Sequence, residues 1–201
     1  GLHRGGLGPD PEDRLGRLGA DALKAFMSEA AITLVPPDRS WGDLFQAEKA
    51  LLCLRLADWL AAEPEHIGST AVAGLWAKPV IDIMAPVRTL DQARPAIAAA
   101  EALGYCHYPY RPSLMHWFCK PSPEHRTHHL HLVPLGSPLW QDRILFRDVL
   151  RSDAVTRANY QALKEHLAST HSMDREAYTE GKSAFIADVL RNARERPGQG
   201  R

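Results

Sequence analysis

One carboxylate inside an otherwise apolar run constrains this chain more than any other feature. In "KPVIDIM" (Lys78 to Met84) four apolar residues surround Asp82, and Pro79 opens the run. The run reads as a buried strand. Side chains alternate faces along a strand, so Val80, Asp82 and Met84 point one way, Ile81 and Ile83 the other. An ionised carboxylate among apolar neighbours is costly without partners. Asp82 is therefore either paired structurally or kept for chemistry.

A second strand pattern offers partners. In "HHLHLV" (His128 to Val133), His129 and His131 share one face while Leu130 and Leu132 fill the other. Two imidazoles at that spacing can ligate one metal ion or converge on an anion. Ahead of Asp82, Gly68, Ser69 and Thr70 make a turn after a brief strand at His66 and Ile67. Such a turn offers N–H groups and hydroxyls to a phosphate, or it merely joins two strands. Lys78 either holds a phosphate or neutralises Asp82. Arg126, just before the histidine-rich strand, is placed to meet an anion or is a loop charge. His66 reads as a satisfied structural histidine. Tyr178 and Lys182 share a helix face at a spacing of four. Arg147 and Asp148 read as surface pairs on an amphipathic helix.

The rest of the chain frames these segments. "AITLV" (Ala31 to Val35), closed by two prolines, reads as a first strand. Ser40 caps a helix from Trp41 to about Ala62, with an apolar stripe of Trp41, Leu44, Phe45, Leu51 and Leu52. Asp91 caps an alanine-rich helix that Gly104 ends. Tyr105 to Tyr108 and Met115 to Cys119 form a hairpin. After Ser137 and Pro138 the pattern is helical over 139–150, 154–168 and 174–192. The order predicts an α/β (α+β) fold, a mixed sheet flanked by helices with a helical C-terminal third. Residues 1–30 read as a partly helical appendage starting at Asp10 and Pro11, 31–192 as the domain, and 193–201 as a flexible tail.

Charge narrows the partners. Twenty-four Lys and Arg balance 24 Asp and Glu, which argues against a nucleic-acid partner. Cys53, Cys106 and Cys119 show no CxxC spacing and read as reduced thiols. The longest apolar stretch is far short of a membrane span. A cytoplasmic location with no membrane partner is expected.

At "ITLVPPDRSW", "HIGSTAVAGLWAKPVIDIM", "RTHHLHLV", "GSPLWQDRILFRDVLR" and "DREAYTEGKSAFI" the chain resembles the GrpB-like family over about Ile32 to Asn192. That resemblance implies a nucleotidyltransferase-like fold. In the wider superfamily a Gly-Ser turn grips nucleotide phosphates, and acids on two strands hold divalent ions that polarise the phosphoryl group. Gly68 and Ser69 match the turn and Asp82 the first acid. Met84 stands at the second acid position, and a thioether cannot hold magnesium. His129 or His131 stands on the third-acid strand, where imidazole suits zinc or manganese better. Ala73 replaces a proline expected in many relatives.

Three functions follow as expectations. The first is nucleotidyl or phosphoryl transfer to a small acceptor. Gly68, Ser69, Thr70, Lys78, Arg126 and Lys182 would bind phosphate. Asp82, His129 and His131 would hold a single divalent ion (zinc, manganese or magnesium), or Asp82 and His131 would work as a metal-free acid/base pair. The second is a non-catalytic module for a nucleotide or other small phosphorylated molecule. The third is a metal-dependent hydrolase built on the same His and Asp residues.

Overall fold

A computed structural model describes residues 31–195. The helix expected within 1–30 and most of the expected tail lie outside the described residues. The strand expected at Ala31 to Val35 shrinks to one bridge between Val35 and Ala77. Pro36 and Pro37 follow at once, and proline cannot donate to a ladder.

Helix α1 (Ser40–Arg55) stops short of Ala62. Asp38, not Ser40, supplies the capping oxygen, its Oδ1 accepting from Ser40 N at 2.8 Å. Trp41, Phe45, Glu48 and Leu52 are the buried positions of α1. Leu44 and Leu51 fall outside that arc and are exposed. Strands β1 (Glu65–Ile67) and β2 (Ile81–Val87), helix α2 (Pro95–Glu101), and strands β3 (Cys106–Tyr108), β4 (His116–Pro121) and β5 (Arg126–Pro134) follow. They build one mixed five-stranded sheet in the order β1-β2-β5-β4-β3. Only β2 and β5 run parallel.

Helices α3 (Pro138–Ser152), α4 (Ala154–Thr170), α5 (Arg175–Glu180) and α6 (Ser183–Glu195) make the helical C-terminal third. Ser137, Asp153 and Asp174 cap the first three with side-chain oxygens. The single helix expected over 174–192 breaks at Gly181 and Lys182, dividing α5 from α6.

Strand alternation separates two apolar layers. Ile81, Ile83, Ala85, Leu130, Leu132 and Phe118 pack with α1 and α2 on one face. Ile67, Met84, Met115, Trp117, Cys119 and Val133 face the other way, towards Leu139, Trp140 and Ile144 of α3. Asp82, His129 and His131 belong to this second face. Leu130 is fully buried in the first layer and Leu54 is 75% exposed. Leu130→Ala should cost about 2–5 kcal/mol in chemical denaturation. Leu54→Ala should stay within about 0.5 kcal/mol of the parent.

Candidate functional site

Register assembles the centre of the site. Parallel pairing sets Asp82 beside His129 and Met84 beside His131. His129 Nδ1 lies 2.9 Å from Asp82 Oδ1. Burial pushes the Asp82 carboxyl up, but its two histidine neighbours outweigh that and hold it well below the usual carboxylate range. Burial pushes the His129 ring down, more than Asp82 draws it back up, with Arg126 and Lys78 adding to the fall. At neutral pH the pair is thus a carboxylate accepting from the Nδ1–H of a neutral imidazole. The opposite ring atom, Nε2, is buried with no hydrogen-bond partner.

His131 sits deeper. It is 4% exposed, its Nδ1 is 3.3 Å from Met115 Sδ, and its Nε2 is 3.7 Å from Asp82 Oδ1. That last gap is too long for a hydrogen bond. Of the two histidines it is His129, not the expected catalytic His131, that lines the cavity in front of the sheet.

The Gly-Ser turn meets this centre through its glycine. Gly68 has φ +72°, in the left-handed region, and a Cβ there would lie 2.6 Å from Asp82 Oδ2. Two constraints thus select glycine: the backbone conformation and the approach of the carboxylate. Thr70 was expected to bind phosphate, but its hydroxyl is used inside the protein. It donates to Val80 O at 3.1 Å and stands 3.0 Å from His66 Nε2, which latches the turn to the start of β2. His66, stacked on Phe45 with ring centroids 4.6 Å apart, is the structural histidine expected. Burial pushes its pKa down to about 4.

Arg147 corrects another expectation. It is buried rather than a surface partner, and its guanidinium meets Glu65 at 2.6 Å, Asp148 at 2.8 Å and the His66 carbonyl at 3.1 Å. It fastens α3 to β1.

Between the sheet and the C-terminal helices lies a cavity of about 560 Å³. Lys78, Lys164, Lys182, Arg126, Arg143 and Arg175 line it, against Asp82 and Asp142. Asp142 is already paired with Arg194. A chain neutral overall therefore concentrates positive charge in one enclosed place. Burial pushes Lys78 down to about 7, helped by Arg175 and Lys182. Lys164 also falls to about 7, by burial and then the charge of Lys182. Lys182 falls to about 8 by burial, with Asp82 drawing it partly back up. The ammonium groups of Lys78 and Lys182 lie 5.2 and 4.4 Å from the Tyr178 ring centroid, a placement that favours cations. Lys164 Nζ is 3.3 Å from Ser69 Oγ and also donates to the Trp76 carbonyl.

The structure therefore brings Gly68, Ser69, Lys78, Arg126 and Lys182 to one cavity with Asp82 and His129. Lys164, Arg143 and Arg175 were missed by sequence reasoning. The signal was present for two of them. Tyr160, Lys164 and Leu167 are the buried positions of α4, and Arg143 falls between Leu139 and Phe146 on the inward stripe of α3. A cation on an apolar helix stripe is the cue.

The set Asp82, His129 and His131 does not fit a resident metal ion. Asp82 Oδ1 is spent on His129, the Nδ1 of His131 faces a thioether, and Met84 is fully buried in the apolar layer. Among the described residues, no three His, Cys, Asp or Glu side chains are arranged to hold one.

With this geometry in view, comparison with known proteins is informative. The family model described as GrpB protein matches residues 31–192. A UPF0157 protein of Deinococcus radiodurans is 38% identical over 164 residues, covering 81% of this chain and 82% of that one. The crystal structure of GrpB from Enterococcus faecalis superposes with a TM-score of 0.72 at 28% identity, over 80% of this chain and 96% of that chain. A dephospho-CoA kinase of Mycolicibacterium paratuberculosis is 29% identical across 83% of this chain, but the match takes in only 47% of that enzyme.

Glycine positions separate strain from contact. A Cβ at Gly74, also at positive φ, meets nothing within 4 Å. Gly68→Ala should destabilise by about 1–3 kcal/mol and displace Asp82, whereas Gly74→Ala should cost only the backbone term, about 1 kcal/mol. Thermal denaturation of the two variants side by side measures the difference.

Proposed function

This chain belongs to the GrpB family, and we propose that its basic cavity binds a small phosphorylated molecule of the nucleotide class. One observation carries the reading: Lys78, Lys164 and Lys182 are gathered in one buried space and held far below the ordinary lysine range. Three amines pushed down to about 7, 7 and 8 are costly to keep charged in the free protein. That cost falls when a phosphate supplies the missing counter-charge. The Gly68–Ser69 turn and the Arg126, Arg143 and Arg175 guanidinium groups add donors around the same space. The partial match to a dephospho-CoA kinase supports a ligand that contains a nucleotide.

A second reading adds a chemical step, nucleotidyl or phosphoryl transfer to a small acceptor. The observation favouring it is the Asp82–His129 hydrogen bond, which fixes the proton on Nδ1 and leaves Nε2 as the basic atom. A hydroxyl attacking bound phosphorus gives its proton to that nitrogen as the new O–P bond forms, the bond to the pyrophosphate or nucleotide leaving group breaks, and the cations hold the phosphoryl oxygens. No step here passes through a metal. Asp82→Asn should abolish turnover of any nucleoside triphosphate the protein consumes while leaving its binding. Unchanged turnover would remove the acid/base role.

The pH dependence follows from the direction of the shifts. A bound phosphate raises the lysine pKa values, so binding takes up protons. The lysine contribution to affinity is then full below about pH 7 and is lost as pH climbs above the free-state values of about 7 and 8 towards the higher bound-state ones. AMP serves as probe, its phosphate being already dianionic above roughly pH 7. Its dissociation constant by calorimetry should rise at least about tenfold from pH 7 to pH 9. Affinity that holds or tightens over that range would contradict the proposal.

Stability has the opposite sign. A lysine with a lowered folded pKa destabilises the free protein at neutral pH, and the penalty fades as pH rises towards the unfolded value. Lys182→Met should therefore raise Tm at pH 7 while weakening AMP binding about tenfold or more.

A further inference from the structure

Register places two cysteines face to face beside the site. Cys106 of β3 is the antiparallel partner of Cys119 of β4. Cys119 is in turn the partner of His129, and His129 of Asp82. One row across the sheet thus reads Asp82, His129, Cys119, Cys106. Both thiols are free, Cys119 buried and Cys106 partly exposed, and Cys106 packs on the same apolar layer that contains Cys119. We propose that Cys106 and Cys119 form an oxidation site, closed to a cross-strand disulfide by a peroxide and reopened by a thiol reductant.

The register permits the bond once the Cys106 thiol turns from the Pro121 carbonyl it meets at 3.4 Å. Directly opposed residues of an antiparallel pair have Cα atoms about 4.5–5.5 Å apart, within the roughly 4.4–6.8 Å span of disulfides. The third thiol does not compete. Cys53 lies on α1, which packs against the other face of the sheet. Exposure sets the order of events. The Cys106 thiolate attacks one peroxide oxygen, the O–O bond breaks, and a sulfenic acid and water result. Burial pushes the Cys119 thiol up to about 11, so Cys119 attacks that sulfur from its thiol form and gives up its proton in the step. The S–S bond forms as the S–O bond breaks, and the departing hydroxide takes a proton to leave as water. Two thiols are oxidised and one peroxide is reduced to two waters.

The bond would act on the site's rim. Strand β3 is the sheet edge, three residues long and paired only with β4. The chain runs from it directly to Tyr110 and Arg111, which line the cavity. A short edge strand opens readily, and the disulfide ties it down one strand away from His129.

The test uses the full chain, reduced, freed of reductant and treated with hydrogen peroxide in native buffer. Titratable thiols, counted after denaturation, should fall from the three free cysteines to one, with a mass decrease equal to two hydrogens. Peptide mapping should find Cys106 joined to Cys119, reversibly with dithiothreitol. Hydrogen exchange at the β3 amides should slow at least tenfold in the oxidised form. Cys106→Ser and Cys119→Ser should each prevent the mass change. Stable sulfinic acid at Cys106, covalent dimers through Cys53, or three intact thiols would overturn the proposal. A disulfide that leaves β3 exchange unchanged would overturn the claim that it acts on the rim.

Discussion

The parallel pairing of β2 with β5 is the constraint on which the site depends. It is the sheet's one parallel contact, and it sets Asp82 against His129 while Ile81 and Ile83 stay in the opposite layer. A one-residue slip of β2 would turn Asp82 into the α1 layer, away from His129, and Ile81 and Ile83 out of it. The apolar pattern that builds the core therefore also fixes the register of the polar pair. Their hydrogen bond offsets the cost of burying the carboxylate, and the turn before β2 can close on Asp82 only because residue 68 lacks a Cβ.

Around that centre the protein accepts an electrostatic cost. Buried lysines with like-charged neighbours destabilise the free state, a cost that the Lys164 contacts to the Trp76 carbonyl and Ser69 offset only in part. The surrounding structure tolerates the strain because Arg147 and the Thr70 latch hold the turn, α3 and β1 in place by separate contacts. Apart from Lys164, which donates to the Trp76 carbonyl and reaches Ser69, the framework and the charge cluster are built from different residues. Removing a cavity cation should leave the fold standing, while removing Gly68 should not leave the site intact.

Much of this was legible in the sequence, for identifiable reasons. Period-two alternation revealed the β2 and β5 faces, and Ser137 with Pro138 marked where the helical C-terminal third begins. Charge totals concealed the cavity, since a neutral sum says nothing about which charges share a space. Lys164, Arg143 and Arg175 converge only through the packing of α3, α4 and α5 on one another, a long-range fact that local patterns do not carry. Thr70 and Arg147 misled in opposite directions. A turn hydroxyl looked available and was spent on Val80, whereas a helix arginine looked superficial and was buried against Glu65. His131 is the subtlest case. It shares a strand face with His129, yet two residues along β5 is enough to move it from the cavity wall into the apolar layer beside Met115.

Met84 ties these points together. In a site that offsets phosphate charge with metal ions, acids at alternate strand positions collect the ions. Here the second position carries a thioether sealed in the core, and the residues facing the cavity are cations instead. Met84 lies in the apolar layer while Lys78, Lys164 and Lys182 line the cavity. The cavity wall is left with these lysines, and with Asp82 hydrogen-bonded to His129.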